Sequence, residues 1–171
     1  MASTENASAA CCTIPPIIAK NYQHKGTYQT INGLKTYVTG PSDATRGVLM
    51  ISDVFGFFPQ TLQGADILAH ADTGKPYRVF MPDWFDGEPM PIEWYPPDTE
   101  DKKKNLGHFF ATKAVPQKTV DKIPGVMKAV QEVAPAVKTW GILGLCWGAK
   151  VCFSRMWDIA LPSFIFISAQ P

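Results

Sequence analysis

The 171-residue chain is 46% hydrophobic and 18% charged with a formal net charge of +1. Those proportions describe a globular chain with one good core rather than a disordered one. Sixteen basic residues against fifteen acidic ones leave no electrostatic footprint for nucleic acid, since Lys102-Lys103-Lys104 is one short cluster preceded by Glu100-Asp101.

Residues 1–12 read as a flexible N-terminal tail and residues 13–171 as one domain. No apolar segment follows Met1 in the manner of a signal peptide. Cys11-Cys12 are adjacent, and no C-x-x-C partner accompanies them, so no metal and no cofactor is expected. The four cysteines form no secreted framework, which points to reduced thiols and a cytoplasmic location.

From Gly26 to Gly40 two short strands flank Asn32-Gly33, a strong type I′ turn signal. Gly47–Ser52 is a short apolar run suited to a central parallel strand. Asp53-Val-Phe-Gly56 follows at its carboxyl end, where ligand groups gather in open α/β sheets. Asp53 is either a functional carboxylate or an Asx turn or helix cap. Thr61–Ala71 reads as a helix closed by Gly74, and Tyr77–Met81 as the next strand.

Pro82–Pro97 holds five prolines with Trp84, Phe85, Trp94 and Tyr95, and so reads as an ordered loop. Its aromatics, with Phe55, are candidate pocket lining; their other role is to cover the sheet edge. Helices are expected over about 101–113 and 119–133, with Pro124 tolerable in the first turn of the second. Ile159–Ala169 is too short to cross a bilayer and contains Pro162, so no membrane partner is expected.

The stretch with most chemical content is Gly144-Leu-Cys146-Trp-Gly148, between the apolar run Lys138–Leu143 and the helix-like Ala149–Trp157. Glycine at both flanks permits a sharp strand-to-helix turn with Cys146 at its tip, the nucleophile-elbow pattern with cysteine in place of serine. A thiolate there lies near a helix N-terminus, which favours negative charge. The alternative is a buried structural cysteine beside a glycine turn. With Phe164–Ser168 as a last strand, the strand–helix alternation predicts a mostly parallel α/β sheet.

Ser52–Gly56, Pro59–Leu68, Tyr77–Phe85, Gly87-Glu-Pro89 and Gly144–Gly148 together resemble the dienelactone hydrolase family, and its fungal members most closely. The resemblance implies a three-layer α/β-hydrolase-like fold, incomplete at its C-terminal end. It implies a cysteine-type hydrolase of a small ester or lactone, with Cys146 as nucleophile. Backbone N–H groups of Trp147 and Val54 would form the oxyanion hole. Asp53 would match the family's acidic residue, usually Glu, that holds the resting thiol. In this fold the triad acid and histidine follow the nucleophile. Here His24, His70 and His108 all precede Cys146, and Asp158 is the one carboxylate after it.

Three readings therefore stand. The chain is a working small-molecule hydrolase, a truncated and inactive relative serving as a binding protein, or a different cysteine fold. In the hydrolase-like fold the run Phe164–Ser168 is expected at or near a sheet edge, with a homo-oligomer through that edge as one consequence.

Overall fold

The structure, a computed structural model, describes residues 21–155 and the backbone of 164–169. The expectations for Cys11-Cys12 and for the N-terminal tail lie outside the described residues. Asn32 and Gly33 both take positive φ, 50° and 76°, the requirement of a two-residue type I′ turn. That turn joins β1 (Thr27–Ile31) to β2 (Leu34–Thr39), with Ile31 paired to Leu34.

The remaining strands are β3 (Arg46–Ile51), β4 (Tyr77–Pro82), β5 (Thr139–Leu145) and β6 (Phe164–Ala169). Their spatial order is β1-β2-β4-β3-β5-β6. β4, β3, β5 and β6 run parallel, whereas β1 with β2 and β2 with β4 are antiparallel. The sheet is thus mixed, with three parallel pairings and two antiparallel ones. A two-residue turn can join only antiparallel neighbours, and β2 then meets β4 antiparallel as well. β6 closes the order on one side, so Phe164–Ser168 lies at an edge of the described sheet.

Helices cover both faces. On one, α1 (Pro59–His70) sets Leu62, Ala65 and Ala69 against Tyr37, Val48, Met50, Val79 and Met81. On the other, α3 (Pro116–Val133) and α4 (Trp147–Arg155) pack Ile123, Val126, Val130 and Val151 on Leu49, Ile51, Phe80 and Ile142. β3 contributes to both cores, as a continuous apolar strand buried on two faces must. The helix α2 (Glu100–Thr112) joins the second core through Phe109; Thr99 caps it by accepting from the Lys102 N–H at 3.3 Å.

Two helix limits differ from the sequence reading. α1 begins at Pro59 rather than at Thr61, since proline suits the first turn of a helix, and the Asp72 carboxylate makes a separate turn after it by accepting the N–H groups of Gly74 and Lys75. α3 begins at Pro116, which places Pro124 inside the helix instead of in its first turn. An interior proline costs about 3 kcal/mol. Val120, Ile123, Val126, Met127 and Val130 are all buried on that helix, and each is worth about 1.5–3 kcal/mol. Packing wins.

Asp66 ties α1 to the sheet. It is 1% exposed, and four donors meet its carboxylate: Tyr22 Oη at 2.6 Å, Lys25 N at 2.9 Å, Tyr37 Oη at 2.8 Å and Thr39 Oγ1 at 2.5 Å. Burial pushes the Asp66 pKa up, but these donors outweigh it and hold the carboxyl below its ordinary value. The stabilisation is therefore present above the unfolded-state pKa, about 3.9, and is lost as pH falls through the lower folded-state value. Asp66→Asn replaces one acceptor by a donor facing donors, and a loss of about 2–3 kcal/mol is expected at pH 7. Urea unfolding at pH 7 and at decreasing acid pH checks this, with the gap between the two proteins narrowing as the wild type loses its charge.

Candidate active site

The parallel register of β3 and β5 pairs Ile51 with Gly144. Asp53 and Cys146 each lie two residues beyond that pair, so they leave the sheet at the same end from strands about 4.8 Å apart. Lys35 on β2 and Asp83 after β4 reach that end too, since Asp83 N–H donates to the Lys35 carbonyl at 2.7 Å.

Cys146 adopts φ 52°, a left-handed conformation uncommon for a residue with a side chain. The flanking glycines make the turn possible by close approach. A Cβ on Gly144 would stand 2.3 Å from the Gly148 oxygen, and one on Gly148 would stand 2.2 Å from the Ile51 oxygen. The elbow thus folds onto itself and onto β3. Its exit is a helix whose first bonds run from Ala149 N and Lys150 N to the Cys146 carbonyl, at 3.0 and 3.3 Å. Trp147 opens α4, where first-turn N–H groups have no intrahelical acceptor. Its indole Nε1 donates to the Ala114 carbonyl at 2.8 Å, and its ring meets Phe85 at 4.8 Å.

Asp53 is half-buried, with both carboxylate oxygens engaged. Phe55 N–H donates to Oδ1 at 2.9 Å, and Thr61 Oγ1 donates to Oδ2 at 3.3 Å. The first contact is an Asx turn. Burial raises the Asp53 pKa against the pull of those two donors. Val54 is buried, and its carbonyl accepts from Met90 N–H at 2.8 Å, which fastens the loop after β3 to the loop after β4.

The aromatics divide. Phe55 lines a hollow of about 420 Å³ with Phe57, Phe58, Pro89, Met90 and Ile92. Trp84 and Phe85 are each 3% exposed and belong to the core, although both also border a smaller hollow of about 200 Å³. Trp84 Nε1 donates to the Met50 carbonyl at 3.4 Å. Trp94 and Tyr95 are partly buried against the same core, the Tyr95 ring 6.1 Å from Phe55. Cys146 is in the lining of neither hollow.

His24 and His70 lie away from the elbow by topology. His24 packs on Tyr28 and Tyr37 of β1 and β2, and β2 is three strand spacings, roughly 14 Å, from β5. His70 ends α1, which runs back toward the opposite ends of the parallel strands; its Nδ1 lies 2.8 Å from the Asp66 carbonyl oxygen. His108 is exposed on α2. Sequence reasoning did not single out Thr61, although a hydroxyl in the first turn after the acidic loop is the signal that would have found it. Among the described residues no group of three or more His, Cys, Asp or Glu can hold a metal ion, and no helix is long and apolar enough to cross a membrane.

The two described thiols differ. Cys152 is buried, and desolvation pushes its pKa up to about 11, whereas Cys146 is partly exposed. At pH 7 a thiol with pKa about 11 is thiolate in about one molecule in 10⁴. Iodoacetamide at neutral pH is expected to label Cys146 first among the four thiols and to leave Cys152 unmodified in the folded protein. Peptide mapping reads the order; a modified Cys152 beside an intact Cys146 would contradict it.

The comparisons agree with the geometry. Residues 34–157 match the model of the dienelactone hydrolase family. An uncharacterized AIM2 family protein of Schizosaccharomyces pombe is 37% identical over 147 residues, covering 84% of this chain and 57% of that protein. The human carboxymethylenebutenolidase homolog is 30% identical over 137 residues, covering 79% of this chain and 51% of its own length. The chain thus spans about half the length of these curated relatives. A dienelactone hydrolase crystal structure from Anabaena variabilis superposes with a TM-score of 0.53 at 13% identity, over 85% of this chain and 62% of that one, a likeness of fold. With its sheet order, its glycine-framed turn and the family match across 34–157, the chain belongs to the dienelactone hydrolase family, within the α/β-hydrolase fold.

Proposed function

We propose that this chain carries the nucleophile of a cysteine-type hydrolase acting on small esters or lactones. The observation that supports it most is Cys146 at positive φ between two glycines, at the strand end beside Asp53. In this reading the Cys146 thiolate attacks the carbonyl carbon and the C=O electron pair moves to oxygen. The N–H groups of Trp147 and Val54 receive that oxyanion, which forms only as the reaction proceeds. Collapse expels the alkoxide, which takes up a proton, and leaves a thioester that water hydrolyses. Asp53, with a pKa raised by burial, is the group that exchanges a proton with the resting thiol.

A second reading follows from a specific observation: among the described residues His24 and His70 stand away from the elbow and His108 is exposed on α2. Cysteine needs less activation than serine, so a relative of this kind acylates and releases slowly, or serves to bind. Fungal origin is supported by the Schizosaccharomyces pombe relative. Pairing of two copies along β6 is part of the proposal, because β6 is an edge of the described sheet; light scattering that gives a monomer at high concentration excludes it.

The test is hydrolysis of an activated ester such as p-nitrophenyl acetate. Cys146→Ala is expected to abolish the protein-dependent rate, while His24→Ala, His70→Ala and His108→Ala each stay within about tenfold, or 1.4 kcal/mol of barrier. A histidine variant that folds and loses more than that would assign the base to that residue. Undiminished turnover in Cys146→Ala would end the nucleophile reading.

A further inference from the structure

Asp53 is gripped at both oxygens, and the two grips differ in kind. The Phe55 N–H to Oδ1 bond is made within the loop itself, two residues on. It leaves the carboxyl to turn about Cβ–Cγ, a broad torsion with little preference of its own. The Thr61 hydroxyl to Oδ2 bond comes from another element, the first turn of α1. Thr61 is 3% exposed and β-branched, so few rotamers are open to it and its hydroxyl has little water to turn to. α1 is itself fastened to the sheet by the four donors on Asp66.

We infer that Thr61 is a positioning residue: its hydroxyl fixes the rotation of the Asp53 carboxyl, and so sets how Asp53 addresses Cys146 on the neighbouring strand. The link to Cys146 rests on the nucleophile reading above; the hold on Asp53 does not. Three effects act on the Asp53 carboxyl: burial, which favours the neutral acid, and the Phe55 and Thr61 donors, which favour the carboxylate. Removing the Thr61 hydroxyl therefore leaves Oδ2 loose and the carboxylate less favoured.

The experiment uses the full chain with ¹³C-labelled aspartate, the Asp53 carboxyl signal being assigned by its loss in Asp53→Asn. Its titration is followed by NMR in wild type, Thr61→Val and Thr61→Ser, and Cys146 alkylation by iodoacetamide is timed at pH 7 in the same proteins. Thr61→Val is expected to raise the Asp53 midpoint by roughly one pH unit, and Thr61→Ser, which keeps the hydroxyl and the fold, to restore it. The alkylation rate is expected to change at least about threefold in Thr61→Val. Added to Asp53→Asn, the same change is expected to do nothing, because the carboxyl it positions is gone. An unmoved Asp53 midpoint in Thr61→Val overturns the inference, and so does an equal effect of Thr61→Val with and without the carboxyl. A midpoint that moves while Cys146 labels no faster than Cys152 upholds the grip on Asp53 and overturns the nucleophile reading instead.

Discussion

The contact on which the site depends is backbone against backbone: the elbow lies directly on the end of β3. Gly148 stands where any Cβ would meet the Ile51 and Ser52 oxygens at 2.2 and 2.7 Å, and Gly144 where one would meet Gly148 itself. These distances are far below van der Waals separation, so no rotamer change relieves them. The same contact bends β5 into α4, forces Cys146 to positive φ and sets its strand end beside that of Asp53. Side chains then decorate a geometry that the main chain has already set. The Trp147 indole on the Ala114 carbonyl and its ring on Phe85 hold α4 to the layer that covers it.

Two aspartates, Asp66 on α1 and Asp53 in the loop before it, show how surroundings divide structural from chemical carboxylates. Asp66 receives four donors, lies below its ordinary pKa and stays charged. It joins α1, β2 and the residues before β1, away from the elbow. The Asp53 carboxyl accepts from one backbone N–H and one hydroxyl, and burial prevails. A carboxyl with a raised pKa at a strand end is suited to exchanging a proton, whereas a saturated one is suited to holding a fold. Residue type alone does not distinguish them.

That difference bounds what the sequence can disclose. Asn32-Gly33 and Gly144–Gly148 were legible because their geometry is local: positive φ and the absence of a Cβ are properties of the residues themselves. β3 and β5 were legible as apolar runs. The mixed character of the sheet was not, since the pairing of β2 with β4 joins segments some forty residues apart, and nothing in Leu34–Thr39 names its partner. Pro124 misled because a local rule predicts its cost and not the burial that exceeds it. Among the aromatics of Pro82–Pro97, type and clustering were visible, but which of them turned inward was not. Trp84 and Phe85 are core, and Phe57 and Phe58 stand with Phe55 at the hollow instead. Thr61 belongs with these, since its meaning lies in a carboxylate on another element.

The central claim is that the left-handed turn presents Cys146 as a nucleophile to an acyl carbon. Its most direct test is brief exposure of the folded chain to an activated ester or lactone, followed by intact-mass and peptide mass analysis. The account predicts one acyl group per chain, located at Cys146 and absent from Cys152, whether or not it is later released. Acylation spread over lysines, or an unmodified Cys146 in a folded protein, would contradict it.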